Sequence, residues 1–431
     1  MNKRIFKLAI PNIISNITIP LLGMVDTALM GHLDSLVYVG AIALGSMIFN
    51  FLYWGLGFLR TGTLGFTGQA NGAGDSKEVS RVLYRSIFLA IVGASVLLIF
   101  HPFIIDIGLS LTNSSEAIKL EARNYFMLRI WALPASLIIL SLSGWFIGMQ
   151  NTVFPMVISI FSNIANILFS FLFVFKLNMQ TEGVALGTVI AQYLALILAV
   201  GLWLYRYKRY IINIMWRELI NSKLKNLLNV NKDIFIRTLG IIFVFSYFTI
   251  ESANIDDTTL AVNTVLFQFF ILFSYMLDGF ANAGEALSSE AIGANNRTLL
   301  KNIIYRTLLF GLIFSLLFTI VYYFAGEAIL QILTDNTAII NAAKPLLYWV
   351  ILVPLISFPA FIFDGIFIGA TASKAMRNTM MMATILVFIP IVYSGFGAPI
   401  TRLWTGFLMF MFARGLFLLL SIKKSVFGKI A

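Results

Sequence analysis

The 431-residue chain contains no cysteine, two histidines and only 11% charged residues. The missing cysteine excludes disulfides and thiolate metal sites. It does not date the compartment, since either side of a membrane accommodates a cysteine-free chain. His32 and His101 stand alone in or near loops, with no partner at metal-ligand spacing. No glycine-rich loop runs into Lys-Ser or Lys-Thr, so ATP is not the direct energy source. No polar stretch is long enough for a soluble domain, and no nucleophile stands beside a base, which argues against an enzyme. Short alternating strands are missing as well, which removes a β-barrel. What the chain has is apolar bulk: 59% hydrophobic residues, with 40 phenylalanines and 16 methionines, and a mean hydropathy of +0.91. No soluble domain needs so much apolar surface, and this composition specifies an integral membrane protein.

A helix needs about 20 mostly apolar residues to cross a bilayer. Twelve such runs are predicted, near residues 8–31, 37–66, 82–105, 121–148, 153–175, 183–205, 233–254, 258–285, 302–332, 343–369, 379–398 and 402–422. The formal net charge of +11 raises the question of nucleic acid, and its distribution answers it. Lys3, Arg4 and Lys7 precede the first run, Lys77, Arg81 and Arg85 follow the second, and Lys423, Lys424 and Lys429 close the chain. Arg297, Lys301 and Arg306 follow the eighth, and Lys374 and Arg377 the tenth. The intervening loops offer only Lys119, Arg123, Lys176, Lys344 and Arg402. Alternate loops are basic, so the excess charge is a topology signal placing both termini in the cytoplasm of a plasma or inner membrane, and not a nucleic-acid patch. The basic start resembles a signal peptide, but its apolar run is too long and lacks a small-residue cleavage site, so it is read as an uncleaved first helix.

The chain repeats itself. Gln69-Ala70-Asn71-Gly72-Ala73 pairs with Glu290-Ala291-Ile292-Gly293-Ala294, an offset of 221. The same offset carries Tyr84-Arg85 onto Tyr305-Arg306, Gly144 onto Gly365 and Phe146-Ile147-Gly148 onto Phe367-Ile368-Gly369. The expected fold is therefore all-α: twelve transmembrane helices in two six-helix bundles related by an internal repeat. Residues 1–208 form the N-lobe, 209–232 a basic cytoplasmic linker acting as a tether, and 233–431 the C-lobe. Duplicated lobes of this kind are the signature of many transporters, with rocking about a shared cavity as the mode of action. Pro11 and Pro20 in the first helix, Pro134 in the fourth, and Pro354 and Pro359 in the tenth each remove a backbone donor, so these helices can bend. Gly55, Gly57, Gly62, Gly65 and Gly68 thin the second helix for close packing or hinging.

Ionisable groups at membrane depth cost roughly 2.5–3.5 kcal/mol each, and therefore mark function unless they are paired. Asp26, two-thirds of the way along the first helix, is the acid well inside an N-lobe span, and its repeat counterpart is Tyr247. The fifth helix supplies Asn163, Asn166 and Ser170, and the sixth supplies Thr188 and Gln192. The pairs four apart share a face, either facing Asp26 or bonding helix to helix. In the C-lobe, Asp278 and Asp364 are deep, whereas Glu251 ends the seventh helix close to Asp256 and Asp257. Glu285 and Glu290 are placed in the cytoplasmic mouth. Arg60 and Arg414 are candidate partners for these acids or cavity-lining cations. Gly72-Ala73-Gly74-Asp75 matches the GxGD string of intramembrane aspartyl proteases, but Asp75 falls in a basic loop and the repeat replaces it with Asn296, so the match carries no chemistry.

Several longer strings carry a resemblance. They are Pro11, Val25-Asp26-Thr27 and Gly31-His32-Leu33; Gly57-Phe58-Leu59-Arg60 and Gly72 to Asp75; Arg237-Thr238-Leu239-Gly240; Leu277-Asp278-Gly279-Phe280-Ala281; Leu287 to Gly293; and Asp364 to Gly369. In this order, over nearly the whole length, the chain resembles the multidrug and toxic compound extrusion (MATE) transporters, in particular their DinF branch. The resemblance implies cation-coupled export of small organic compounds, often cationic, by a monomer in the lipid bilayer. It implies no cofactor beyond a coupling ion, H⁺ or Na⁺. Asp26 matches the coupling and substrate-linked carboxylate of the branch, with Asn166 and Thr188 as its polar partners. Some relatives carry a second aspartate four residues after the asparagine. Here that position is Ser170, which favours H⁺ over Na⁺. Asp364 matches one ion-binding acid of another branch, and Glu251 falls near the other. Asn163, Gln192, Arg60, Asp278, Asp364 and Glu251 join Asp26 as expected substrate-binding residues, with Pro11 and Pro20 as hinges. A carboxyl group in a low-dielectric bundle favours its neutral form, and a modest change of surroundings then loads or releases a proton. The alternative is a flippase or exporter of a lipid-linked or other amphipathic metabolite on the same fold, which would want clustered arginines.

Overall fold

The computed structural model describes the chain except for residues 32–35, 214–215, 396 and 431, and the side chains of 19–31, 36, 54 and 216–217. Among the described residues there is no strand, and the long helices follow the apolar runs. Helix α1 spans Asn2–Gly31. It is followed by α2 Val37–Gly72, α3 Ser76–Ser110, α4 Glu116–Gly148, α5 Val153–Lys176, α6 Gln180–Tyr210, α7 Ser222–Ile255, α8 Asp257–Gly293, α9 Arg297–Leu333, α10 Thr337–Gly369, α11 Ser373–Val392 and α12 Pro399–Lys429. The eleven from α2 onward are long and apolar enough to cross a membrane. Within α2 the helix loosens at Leu56 and Gly57, between segments ending at Gly55 and resuming at Phe58. In α4 a 3₁₀ step at Ile130–Ala132 precedes Pro134, whose ring cannot coexist with a regular hydrogen bond to the carbonyl four residues back.

The helix boundaries restate the repeat. The bounds of α4, Glu116 and Gly148, lie at the same 221-residue offset from Thr337 and Gly369 of α10. Backbone torsions repeat too. Left-handed conformations occur at Gly74 and its counterpart Asn295, and at Gln150 and its counterpart Thr371. Such a conformation costs a non-glycine residue roughly 1–2 kcal/mol, so the turns after α4 and α10 are held by their surroundings. The closest helix contacts repeat as well. Gly144 and Gly148 of α4 form a GxxxG pair laid against α2. A Cβ on Gly144 would overlap the carbonyl oxygen of Arg60, and one on Gly148 would come 2.7 Å from the Thr67 Cβ. In the other half, Gly365 and Gly369 lie in the same way against Ala281 and Ser288 of α8. Small residues allow backbones to approach where lipid supplies no hydrophobic drive.

Packing divides the chain into two compact units, Ile14–Leu228 (hereafter the N-lobe) and Met1–Ile13 with Asn229–Ala431 (the C-lobe). These limits differ from the expected 1–208, 209–232 and 233–431, for visible reasons. The start of α1 packs on α8 and α9: the Phe6 ring lies 5.8 Å from that of Phe280 and 4.9 Å from that of Phe310, and Arg4 bridges Glu290 at 2.5 Å. Most of the linker joins the N-lobe through ion pairs. Arg81 meets Glu218 at 3.1 Å, and Lys223 meets Glu78 at 2.9 Å, the latter carboxylate also holding the buried Arg85 at 2.8 Å. The C-lobe core is aromatic, with Phe245, Phe248, Phe267, Phe270, Trp404 and Phe407 in edge-to-face and tilted contact.

Candidate functional site

In the N-lobe the two polar stripes meet. Gly187 brings α6 against α5 so closely that a Cβ there would lie 2.6 Å from the Ser170 hydroxyl and 2.7 Å from its backbone nitrogen. The Asn166 amide donates to the Thr188 hydroxyl at 2.8 Å, and that hydroxyl donates to the Val184 carbonyl at 3.0 Å. Asn166, Ser170 and Thr188 are all buried. The Asn166 Oδ1 and the Ser170 Oγ meet no hydrogen-bond partner among the described residues. A buried acceptor left unsatisfied costs roughly 1–3 kcal/mol, so each of these two oxygens has room in its bonding for one further partner. Beside them Gln192 donates to Ser162 at 3.3 Å, and Asn163 donates to the carbonyl of Thr18 on α1 at 3.2 Å. Thr18 is eight residues before Asp26, about 12 Å along the helix. Asp26 and Pro20 have side chains outside the described residues. Pro11 is buried in α1 just ahead of the change of unit at Ile13.

The C-lobe holds a different centre. Asp364 on α10 is buried and shares its Oδ2 between Arg414 of α12, at 2.6 Å, and Arg237 of α7. Asp278 of α8 lies within electrostatic reach of Arg414. Asp364 is thus an internally paired acid. Beside Arg414, Gly415 brings α12 close to α10, since a Cβ added there would lie 3.1 Å from the Pro359 Cβ. Glu251 takes no part. It sits nearer the far end of α7 and accepts a hydrogen bond from Asn254 at 3.0 Å. Arg60 belongs to the N-lobe, half-buried within electrostatic reach of Tyr53. The expected C-lobe set therefore splits into Asp364 with Arg414, Asp278 nearby, and a separate Glu251.

Three residues have surroundings that the sequence reading did not anticipate. Arg237 entered only as the start of a matched string, yet it lies four residues inside an expected span, and depth would have flagged it. Arg129 of α4 lies within a span as well. It donates to Ser46 at 2.7 Å and to Tyr125, with its guanidinium 4.4 Å from the centre of the Phe49 ring. Glu285 was assigned to the cytoplasmic mouth, but only 2% of it is exposed. It occupies the α8 turn that Gly369 approaches, and tight packing there closes over the side chain. Asp75 is structural: its carboxylate caps α3 by accepting from the Glu78 N–H at 2.9 Å, and Asn296 caps α9 in the same way at 2.8 Å from Leu299. An acid and an amide serve this position equally, so the GxGD string is a helix start. Among the described residues no group of three or more acidic or histidine side chains could hold a metal.

A duplicated all-helical membrane fold with a buried polar cluster in each half defines a polytopic transporter scaffold. The MatE family model matches residues 11–172 and 234–394, one stretch in each half. DNA damage-inducible protein F of Escherichia coli (strain K12) is 37% identical over 421 residues, 96% of this chain and 90% of that protein. Multidrug and toxin extrusion protein 1 of Danio rerio is 24% identical over 97% of this chain and 72% of its own length. A crystal structure of MATE in the straight conformation superposes with a TM-score of 0.88 at 16% identity, covering 99% of this chain and 96% of that one. One in the bent conformation gives 0.86 at 17% identity, with the same coverage of both chains. The chain belongs to the MATE family of multidrug and toxin extrusion transporters and is similar to its DinF members.

Proposed function

We propose that the chain exports small organic compounds, cationic or amphipathic, in exchange for protons, and that Asp26 is the group that carries the proton. The observation supporting this most directly is the pair of buried acceptors, Asn166 Oδ1 and Ser170 Oγ, on a helix whose Asn163 is bonded to α1. These acceptors are polar and uncharged, and a carboxyl group that met them would be able to exist with or without its proton, which suits a proton better than a metal cation needing a shell of several oxygens. The pairing of Asp364 with Arg237 and Arg414 supports the same division, because an acid already holding two guanidiniums has little attraction left for a coupling ion. The protein works as a monomer in a plasma or inner membrane, with both termini cytoplasmic and no cofactor besides the coupling ion.

Reconstituted into liposomes, the protein should move a fluorescent organic cation when a pH gradient is imposed and fail to do so under a Na⁺ gradient alone. Asp26→Asn should abolish the proton-driven movement while inserting normally. Full efflux by this variant would overturn the proposal.

A further inference from the structure

At the repeat position of Asp26 the C-lobe carries Tyr247, which is surrounded by aromatic rings. Phe243, Tyr247 and Glu251 are four apart and so form one stripe along α7. The Tyr247 ring lies 6.1 Å from that of Phe243, 5.9 Å from Tyr393 at the end of α11, and 5.7 Å edge-on to the buried Phe388. Tyr247 and Tyr393 interact through their hydroxyls, with Glu251 and Arg402 within electrostatic reach. Phe243 and Tyr393 are exposed, and Tyr247 and Glu251 are half-buried. In a chain of net charge +11, the loops on this side of the C-lobe and the helix ends beside them carry Glu251, Asp256, Asp257, Glu327 and Asp335 against Lys344 and Arg402. The corresponding α1 stripe is Leu22, Asp26 and Met30, one acid without aromatic neighbours in its own stripe.

We propose that Phe243, Tyr247, Tyr393 and Glu251 form a recognition subsite for an organic cation. The rings offer their negative faces to a bulky, weakly hydrated ammonium or phosphonium group, and the carboxylate supplies the opposite charge. The repeat has thus diverged: one half keeps a titratable group at this position, and the other keeps a surface that selects positive charge. The subsite rests on the organic-cation part of the proposed function and does not depend on which ion drives transport.

Binding to the full-length protein in lipid nanodiscs, with no gradient, tests this. The probes are tetraphenylphosphonium and its neutral analogue triphenylphosphine oxide. Tyr247→Leu and Tyr393→Leu should each weaken phosphonium binding by about 2- to 30-fold, and Tyr247→Phe should restore it. Glu251→Gln should also weaken it, most clearly at low salt. Binding of the neutral analogue should stay unchanged throughout. Unchanged phosphonium binding in Tyr247→Leu and Glu251→Gln would overturn the subsite, as would equal losses for both probes, which would mark plain apolar packing. A lower melting temperature with an unaltered Kd would reduce the rings to an interfacial aromatic belt. Failure of the wild-type protein to bind the phosphonium at all would instead sink the organic-cation reading, and the subsite with it.

Discussion

At the scale of single residues, the C-lobe shows how a membrane protein keeps charges it cannot expose. Asp364 holds Arg237 and Arg414 together in the lobe interior. Removing one member of a buried pair leaves an uncompensated charge and costs about 3–5 kcal/mol. Asp364→Asn strands two guanidiniums and should lower the melting temperature in detergent more than Arg414→Met, which leaves the Arg237–Asp364 pair intact. Equal stability of Asp364→Asn and wild type would mean that the pairing contributes nothing. Outside the spans, Asp256 caps α8 by accepting from the Thr259 N–H at 2.7 Å and from its hydroxyl at 2.8 Å. These bonds hold its carboxyl below the usual carboxylate range. The folded state therefore binds this proton less readily than the unfolded chain. The cap's contribution is complete above the unfolded pKa of about 3.9 and is lost as pH falls through the lower folded value. Hydrogen exchange at the Thr259 amide should accelerate in that acid window, and already at neutral pH in Asp256→Ala.

At the scale of elements, the GxxxG pairs set the distance between α2 and α4 and between α8 and α10. A side chain at Gly144 or Gly365 would have to displace the backbone carbonyl of Arg60 or Ala281. Backbone cannot yield as a flexible side chain does. Gly144→Val and Gly365→Val should therefore both reduce the yield of folded protein and its melting temperature. Gly201→Ala should be tolerated, since nothing lies within 4 Å of its added Cβ. Comparable losses at all three positions would count against close packing as the cause, since replacing glycine by alanine or valine raises helix propensity. These contacts were half legible in the sequence. The repeat marked Gly144, Gly148, Gly365 and Gly369 as a pattern shared by the two halves, but which helix they face is fixed only when α4 meets α2. The proline-linked step in α4 and the caps at Asp75 and Asn296 are local, and local sequence suffices to write them.

At the scale of the whole molecule, the absence of cysteine makes topology directly testable. Single cysteines introduced at the exposed Asn113 and Lys424 have no background thiol to compete with. An impermeant maleimide should reach Asn113→Cys from outside intact cells and Lys424→Cys only after the membrane is opened. The reverse order would invert the orientation read from the alternating basic loops. Twelve helices, their order and their duplication were available from hydropathy and the 221-residue offset, because hydrophobic length and repetition are properties of the chain alone.

Position in three dimensions was not available in that way. From the sequence, Asp364 was one deep acid among several. The structure pairs it with Arg237, more than a hundred residues distant, because α7, α10 and α12 pack together. The first residues of α1 were counted with the half they precede, yet Phe6 and Arg4 attach them to the other unit. The sequence alone determined that this is a duplicated membrane transporter with asymmetric acids, since bilayer insertion reads each helix one at a time. Tertiary structure decided which of those acids are already neutralised and which polar groups meet, because pairing energies depend on distances that exist only after the helices have packed.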